Sequence, residues 1–235
     1  MPPGVKQTIL DYQFSVHVLP SSVDDREVLQ IFARMNATGL KLNAQELRNA
    51  AYFGEFKTSV YAISAEQLRR WREWRIFSES QISRMLEVEI TSEFLQIMIK
   101  GLVGKTQKAL DNLYRDLEEI WSERAEGERR FRHCMEELAR TVGSDLANTA
   151  FTNRAAFYAL FAVVYDASFE IGSLLKKKKA VDLPANFRSR VLHVSDTLQM
   201  GKAPDKVIDA LARRTTHKDS RKTVVDYLKS RLIHG

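Results

Sequence analysis

The sequence predicts an all-α fold, a multi-helix orthogonal array with at most one short N-terminal strand. Apolar residues recur at helical spacing along most of the 235-residue chain, and helix-start signals follow one another closely. The 10 glycines and 5 prolines are too few for the turn-rich connections of an all-β fold. Only the stretch from Phe14 to Pro20 alternates like a strand. The domain prediction is one helical domain, or two subdomains of residues 1–103 and 104–235.

The first predicted element is a helix–elbow–helix. Apolar residues from Val28 to Met35 line one face of the first helix. Asn36 and Gly39 tolerate positive φ, so this helix is expected to end between them. Asn43 then caps the next helix, and Glu46 three residues later completes a capping box.

Further helix starts follow in order. Capping boxes are predicted at Ser64 with Gln67 and at Ser78 with Gln81. Two longer antiparallel helices come next, and we expect them to be joined near Gly127.

The longest apolar run, Ala155 to Tyr165, has 11 residues, well short of the roughly 20 that a membrane span requires. It predicts a buried central helix and no membrane contact. Cys134 lies on an apolar stripe, so we predict a buried packing residue. A single cysteine and no recognisable signal peptide indicate a cytoplasmic protein. Later helices are expected to start near Pro184 and Pro204, and near Asp219.

Charge is unevenly distributed along the chain. The net charge is +6, but the segment from Ser173 to Gly235 contains 15 Lys and Arg against 6 Asp and Glu. Such a basic segment either contacts nucleic acid or is simply solvated. The candidate nucleic-acid-binding residues are Lys176, Lys177, Lys178, Lys179, Arg213, Arg214, Lys218, Arg221 and Lys222. Arg221 and Lys222 are expected to be exposed.

No motif specifies a reaction. The stretch "GLVGKT", Gly101 to Thr106, resembles a phosphate-binding loop, but Ile99 stands where the first glycine is required. We therefore expect a helix–turn–helix junction with Lys105 on the surface. The five histidines are scattered and form no metal-ligand pattern, so the sequence indicates no catalytic residue, no metal and no cofactor.

The segment "IFARMNATGLKLNAQELRNA" has a more specific pattern: Ile-Phe-x-Arg-hydrophobic-Asn, then a glycine, a leucine and Glu-Leu-Arg-Asn-Ala. The pattern resembles a signature of the Domain of Unknown Function 262 family. These ParB/sulfiredoxin-related proteins include the GmrS half of GmrSD-type modification-dependent restriction enzymes. Weaker similarity extends over most of the chain. The matching residues are Ile31, Phe32, Arg34, Asn36, Gly39, Leu42, Glu46, Leu47, Arg48, Asn49 and Ala50.

The family's chemistry is attributed to an N-terminal domain with an Asp-Gly-Gln-Gln-Arg signature linked to nucleotide hydrolysis. That signature is absent here, and no HNH-type nuclease follows. The resemblance therefore implies the helical half alone: a fragment, a split gene product or a degenerate relative. Arg34 and Arg48 flank the elbow, where they either stabilise the joint or contact a nucleotide or DNA backbone.

The expected function is a non-catalytic helical module of a DNA-directed defence or restriction-type protein. Its expected partners are DNA and a ParB/sulfiredoxin-like domain or separately encoded subunit. One alternative is a protein-interaction scaffold without a nucleic-acid role. A second is an NTP-dependent enzyme, which the incomplete phosphate loop and the missing signature argue against.

Overall fold

The computed structural model describes residues 3–13, 16, 18, 20, 23–24, 27–28, 31, 41–213 and 215–234. The chain forms two compact units, residues 1–42 and residues 43–235. In the first unit, helix α1 spans Pro3–Leu10, and Val28 and Ile31 of the predicted first helix are helical. The rest of that helix and the elbow at Asn36 and Gly39 lie outside the described residues.

The second unit consists of helices and connecting segments. Within the described part of the chain no residue is in a strand, so the all-α prediction is confirmed. Residues 16, 18 and 20 of the predicted strand have no regular structure, and its other positions lie outside the described residues. The α-helices of this unit are α2 Ala44–Ala51, α3 Glu55–Glu66, α4 Leu68–Glu73, α5 Glu79–Ile82, α6 Leu86–Lys100, α7 Gln107–Asp116, α8 Arg124–Val142, α9 Arg154–Phe169, α10 Phe187–Gln199, α11 Asp205–Ala212 and α12 Lys218–Leu232. Two 3₁₀ turns, Leu146–Asn148 and Ala150–Thr152, lie between α8 and α9.

Helix α6 occupies the centre of this unit, packed against α2, α3, α5, α7, α8 and α9. Its Phe94 ring stacks on Phe161 of α9 with ring centroids 3.8 Å apart. Helix α9 is buried along almost its whole length, so the prediction of a buried central helix at Ala155 to Tyr165 is confirmed. Among the described residues, no helix combines the length and apolar character needed to cross a bilayer.

Helices α9 and α12 run side by side in the same direction. Arg221 of α12 lies over the ring of Tyr158 in α9. Eight residues further along each helix, the Nζ atom of Lys229 lies 2.5 Å from Asp166 Oδ2. This pairing places the start of α12 beside the first half of α9.

Two of the three predicted capping boxes are present. The side chain of Asn43 accepts hydrogen bonds from the Gln45 and Glu46 amides, and Ser78 with Gln81 forms the second box. The predicted box at Ser64 and Gln67 is wrong. Ser64 is buried on the inner face of α3, which continues to Glu66. The next helix, α4, begins at Leu68, and no side chain caps it at Gln67.

Gly127 is not the joint between the two longer helices, contrary to prediction. Helix α7 ends at Asp116 and α8 begins at Arg124, so Gly127 lies within the first turn of α8. A Cβ atom at Gly127 would lie 2.7 Å from the ring of Trp121. Glycine here therefore lets the buried Trp121 ring pack directly against the α8 backbone. Near the C-terminus, α10, α11 and α12 begin within three residues of the predicted starts.

We expect Asn43→Ala to destabilise the fold by about 0.5–2 kcal/mol, because it removes the α2 cap. It also removes a hydrogen bond of 2.7 Å from Asn43 Nδ2 to the Arg84 carbonyl. The measurement is the free energy of unfolding in urea. Asn148→Ala is the matched control, because Asn148 is exposed and its side chain makes no hydrogen bond to a described residue. Equal stability of the two variants would contradict the assigned cap.

Candidate functional site

Two acidic side chains are buried on one face of the central helix, α6. Glu89 and Glu93 are four residues apart on α6, so they share one face of the helix. They are 8% and 4% exposed, which is unusual for carboxylates. The run "LEVEITSEFLQIMIK" contains three acids, of which Glu89 and Glu93 have the i, i+4 spacing, but the local pattern did not indicate that they would be buried together.

Lys105 joins the two carboxylates. Its Nζ atom lies 2.7 Å from Glu89 Oε2 and 3.0 Å from Glu93 Oε1. The backbone amide of Lys105 donates to the Thr216 carbonyl at 2.8 Å, which ties the loop after α6 to the segment before α12. The expectation that Lys105 lies on the surface is therefore wrong. The two buried acids draw it inward because charges in the interior require partners.

Arg48 from α2 is a further cation beside Glu89. Its guanidinium is 2% exposed and lies 3.7 Å from Glu89 Oε1 and 2.8 Å from Asp111 Oδ1. It also donates to the side chains of Gln45 and Gln107. Arg48 thus holds α2 against α6 and α7.

The other residues of the family pattern contribute differently. Glu46 completes the α2 capping box, and Leu47 is exposed. Asn49 and Ala50 are half-buried on α2, and Leu42 is half-buried in the first unit. Ile31 is also half-buried there, whereas Phe32, Arg34, Asn36 and Gly39 lie outside the described residues.

Arg221 was expected to be exposed, and this expectation is wrong. The side chain is 7% exposed and forms a close ion pair with Glu93. Its Nε donates to the Thr215 carbonyl at 3.2 Å, and its guanidinium carbon lies 3.9 Å from the centre of the Tyr158 ring. Arg221 is buried because α12 packs on α9 and carries this side chain to the acid on α6.

Burial and charge act in opposite directions in this cluster. Burial alone would raise the pKa of Glu89, but Lys105 and Arg48 together lower it. Burial disfavours the charged form of Arg221, yet Glu93 raises its pKa. Burial raises the pKa of Tyr158 to about 12, despite the opposing effect of Arg221. Glu89 and Arg221 are therefore charged at neutral pH, and Tyr158 is a neutral phenol.

A cavity of about 400 Å³ opens beside this cluster. Its charged and hydroxyl-bearing wall includes Glu93, Lys105, Tyr158 and Arg221. Arg154, the first residue of α9, contributes an exposed guanidinium to the same cavity. Leu86, Ile90 and Leu211 form an apolar wall.

The lysine run forms part of a second feature, which we call the lysine strap, residues 173–179. Arg130 of α8 is fully buried and donates to the Leu174 and Lys176 carbonyls at 2.9 and 2.7 Å. Arg129 donates to the Lys178 carbonyl at 2.7 Å. These bonds fix the strap backbone on α8. Glu126 in turn accepts hydrogen bonds from both arginines.

The four lysine side chains of the strap differ. Lys178 donates to the Phe169 carbonyl and lies 3.6 Å from Glu170. Lys176, Lys177 and Lys179 are exposed and form no ion pair with a carboxylate in the described part of the chain.

Two candidate basic residues around α12 are paired with carboxylates, unlike Lys176, Lys177 and Lys179, and so are less available to bind phosphate. Arg213 lies 3.7 Å from Asp209 and Lys222 lies 2.5 Å from Asp226, so both charges are compensated. Lys218 is exposed, and Arg214 lies outside the described residues.

The structure does not bring the two basic clusters together. Lys178 contacts the end of α9 at Phe169, whereas the start of α12 lies beside Tyr158. These two α9 positions are separated by eleven residues, roughly 16 Å of helix.

The other candidate groups show no reactive arrangement. Cys134 is fully buried, as predicted, and burial raises the pKa of its thiol. Among the described residues, no group of three or more His, Cys, Asp or Glu side chains is placed to hold a metal ion.

No protein-family model, curated protein or solved structure matches this chain. The resemblance to the Domain of Unknown Function 262 family therefore stays a prediction.

We expect Glu93→Gln to lower the free energy of unfolding by about 3–5 kcal/mol, because it leaves the buried Arg221 and the half-buried Lys105 without their shared carboxylate. The measurement is urea unfolding at neutral pH. Glu73→Gln is the control, since Glu73 forms an exposed pair with Arg69 at 3.4 Å and should contribute less than about 1 kcal/mol. A loss at Glu93 no larger than that of the control would show that the buried cluster does not stabilise the fold.

The stabilisation provided by Glu126, which binds the two arginines that hold the strap, should depend on pH. Hydrogen bonds from Arg129 and then Arg130 lower the pKa of Glu126 from 4.5 to about 2. A lowered pKa means that the carboxylate stabilises the folded state above pH 4.5 and loses this contribution as the pH falls towards 2.

We therefore expect the unfolding free energy of the parent protein to decrease more between pH 5 and pH 2 than that of Glu126→Gln. The measurement is a series of urea titrations across this pH range. Glu119→Gln is the control, because Glu119 is exposed and makes no ion pair with a described residue. Identical pH dependence in all three proteins would rule out a role for Glu126.

Proposed function

We propose that this chain is a non-catalytic helical module of a DNA-directed defence or modification-dependent restriction-type protein. In this proposal the lysine strap contacts the nucleic-acid backbone. The observation that carries it is the exposure of Lys176, Lys177 and Lys179, without compensating carboxylates, on a backbone fixed by Arg129 and Arg130.

Physical chemistry supports backbone contacts over base reading. Lysine binds phosphate as a point charge, and a row of such charges releases condensed counterions without selecting a sequence. The strap backbone is already held in place by hydrogen bonds. The entropy cost of binding would therefore come from ordering the lysine side chains and not from ordering the backbone. Lys218, and Arg214 four residues before it in sequence, would form a separate and weaker contact.

The defence context rests on the sequence resemblance in residues 31–50. That resemblance also suggests a ParB/sulfiredoxin-like domain or a separately encoded subunit as partner. A cytoplasmic location belongs to the same proposal and agrees with the single free cysteine, Cys134.

A protein-interaction scaffold is the second candidate, and one observation favours it. Phe53 and Ile120 are 75% and 73% exposed in two neighbouring connections. Glu118 links these connections, since its Oε1 accepts hydrogen bonds from the Phe53 and Gly54 amides at 2.7 and 3.1 Å. Exposed apolar side chains held in this way could dock a partner protein.

We expect the protein to bind a short DNA duplex with an affinity that falls steeply as salt increases. Replacing Lys176, Lys177 and Lys179 by alanine should flatten the log–log salt slope by up to about 2.7, on the basis of about 0.9 per phosphate contact. The measurement is fluorescence anisotropy with one duplex over a salt series.

The control variant replaces three other exposed lysines by alanine and so removes the same charge. They are Lys108, Lys202 and Lys206. It should keep the parent slope. No binding at low salt, or equal slopes in the two triple variants, would exclude the strap as a nucleic-acid contact. The scaffold would then be the better candidate, and Phe53→Ser with Ile120→Ser should abolish binding of its partner.

A further inference from the structure

We infer that the cavity beside Arg221 is a binding site for a small organic phosphate. This site is distinct from the lysine strap and does not depend on the nucleic-acid proposal. The inference starts from Arg221, which lines the cavity and whose buried Nη1 has no hydrogen-bond partner among the described residues. A buried guanidinium with an unsatisfied donor is costly, and an anion bound in the cavity that Arg221 lines would stabilise this charge.

The charges of the cavity favour an anion. Each oxygen of Glu89 and Glu93 already faces a cation from Arg48, Lys105 or Arg221. The carboxylates therefore have little capacity left for a cationic ligand. The unsatisfied groups are positive, namely Nη1 of Arg221 and the guanidinium of Arg154.

Arg154 is a suitable second contact. It begins α9, its side chain is exposed, and it forms no ion pair with a described carboxylate. Its guanidinium carbon lies 5.9 Å from the centre of the Phe77 ring. Two guanidinium groups on one cavity suit a phosphate monoester, because a dianion can accept from both and guanidinium geometry matches phosphate oxygens.

The volume of the cavity and its apolar lining indicate the rest of the ligand. A cavity of about 400 Å³ lies within the range of small-molecule sites, roughly 300–1,000 Å³. Leu86, Ile90 and Leu211 would pack against an apolar or aromatic portion of the ligand. The predicted ligand class is therefore a phosphate monoester with a small apolar group.

The test uses isothermal titration calorimetry of the full chain with phenyl phosphate, at constant ionic strength. We expect binding with one site per chain. Ala212→Trp places a bulky side chain at an exposed position that lines the cavity, and should weaken binding by about tenfold or more. Ala51→Trp, at an exposed position on α2, is the matched control and should bind like the parent.

A second variant tests the guanidinium groups without disturbing the buried pair. Arg154→Ala should weaken phenyl phosphate binding by about tenfold or more, because it removes a charged contact from an exposed side chain. Urea unfolding should show that Arg154→Ala and Ala212→Trp are folded. The triple lysine variant of the strap should bind phenyl phosphate like the parent, which separates this site from the strap.

Three results would overturn the inference. They are no binding of phenyl phosphate to the parent, undiminished binding in Ala212→Trp, and undiminished binding in Arg154→Ala. Benzoate serves as the carboxylate comparison. If it bound as tightly as phenyl phosphate, the assignment to phosphates would be wrong.

Discussion

The packing of the second unit depends on two carboxylates that are buried on one face of its central helix. Glu89 and Glu93 are buried on α6, and each must be neutralised by a cation from elsewhere in the chain. Lys105 comes from the loop after α6, Arg48 from α2 and Arg221 from α12. These cations are up to 173 residues apart in sequence, so this one electrostatic requirement fixes the positions of three distant segments around α6.

A buried ionic cluster of this kind contributes specificity more clearly than stability. Apolar side chains of similar volume could stabilise the interior as well, because desolvation offsets much of the attraction between the charges. The charges instead disfavour packings in which α12 shifts along α9, since a shift would separate Arg221 from Glu93. The same restriction leaves Nη1 of Arg221, a residue that lines the cavity, without an acceptor among the described residues. The arrangement that fixes the fold thereby creates the candidate binding site.

Local chemistry in the sequence predicted the fold class well. The Asn43 and Ser78 capping boxes and the buried helix at Ala155 to Tyr165 depend only on residues close in sequence, and the structure contains all three. The errors had a different origin. Ser64 had the correct spacing for a cap, but it is buried within α3, and the next helix begins only at Leu68. Arg221 was assigned to the surface because a basic cluster reveals nothing about a carboxylate 128 residues away. Local sequence patterns thus could not show which charges, distant in sequence, would pair in the fold.

The anchoring of the lysine strap has a consequence for proteolysis. Four consecutive lysines in an extended connection would ordinarily be a preferred cleavage site for trypsin-like proteases, which must draw several residues into their active-site cleft. Here the carbonyls of Leu174, Lys176 and Lys178 are bound by Arg129 and Arg130. Pulling the strap away would leave Nη2 of the fully buried Arg130 without its two carbonyl acceptors, so cleavage must wait for a costly local opening. The basic run can therefore stay exposed to solvent and still be protected from digestion.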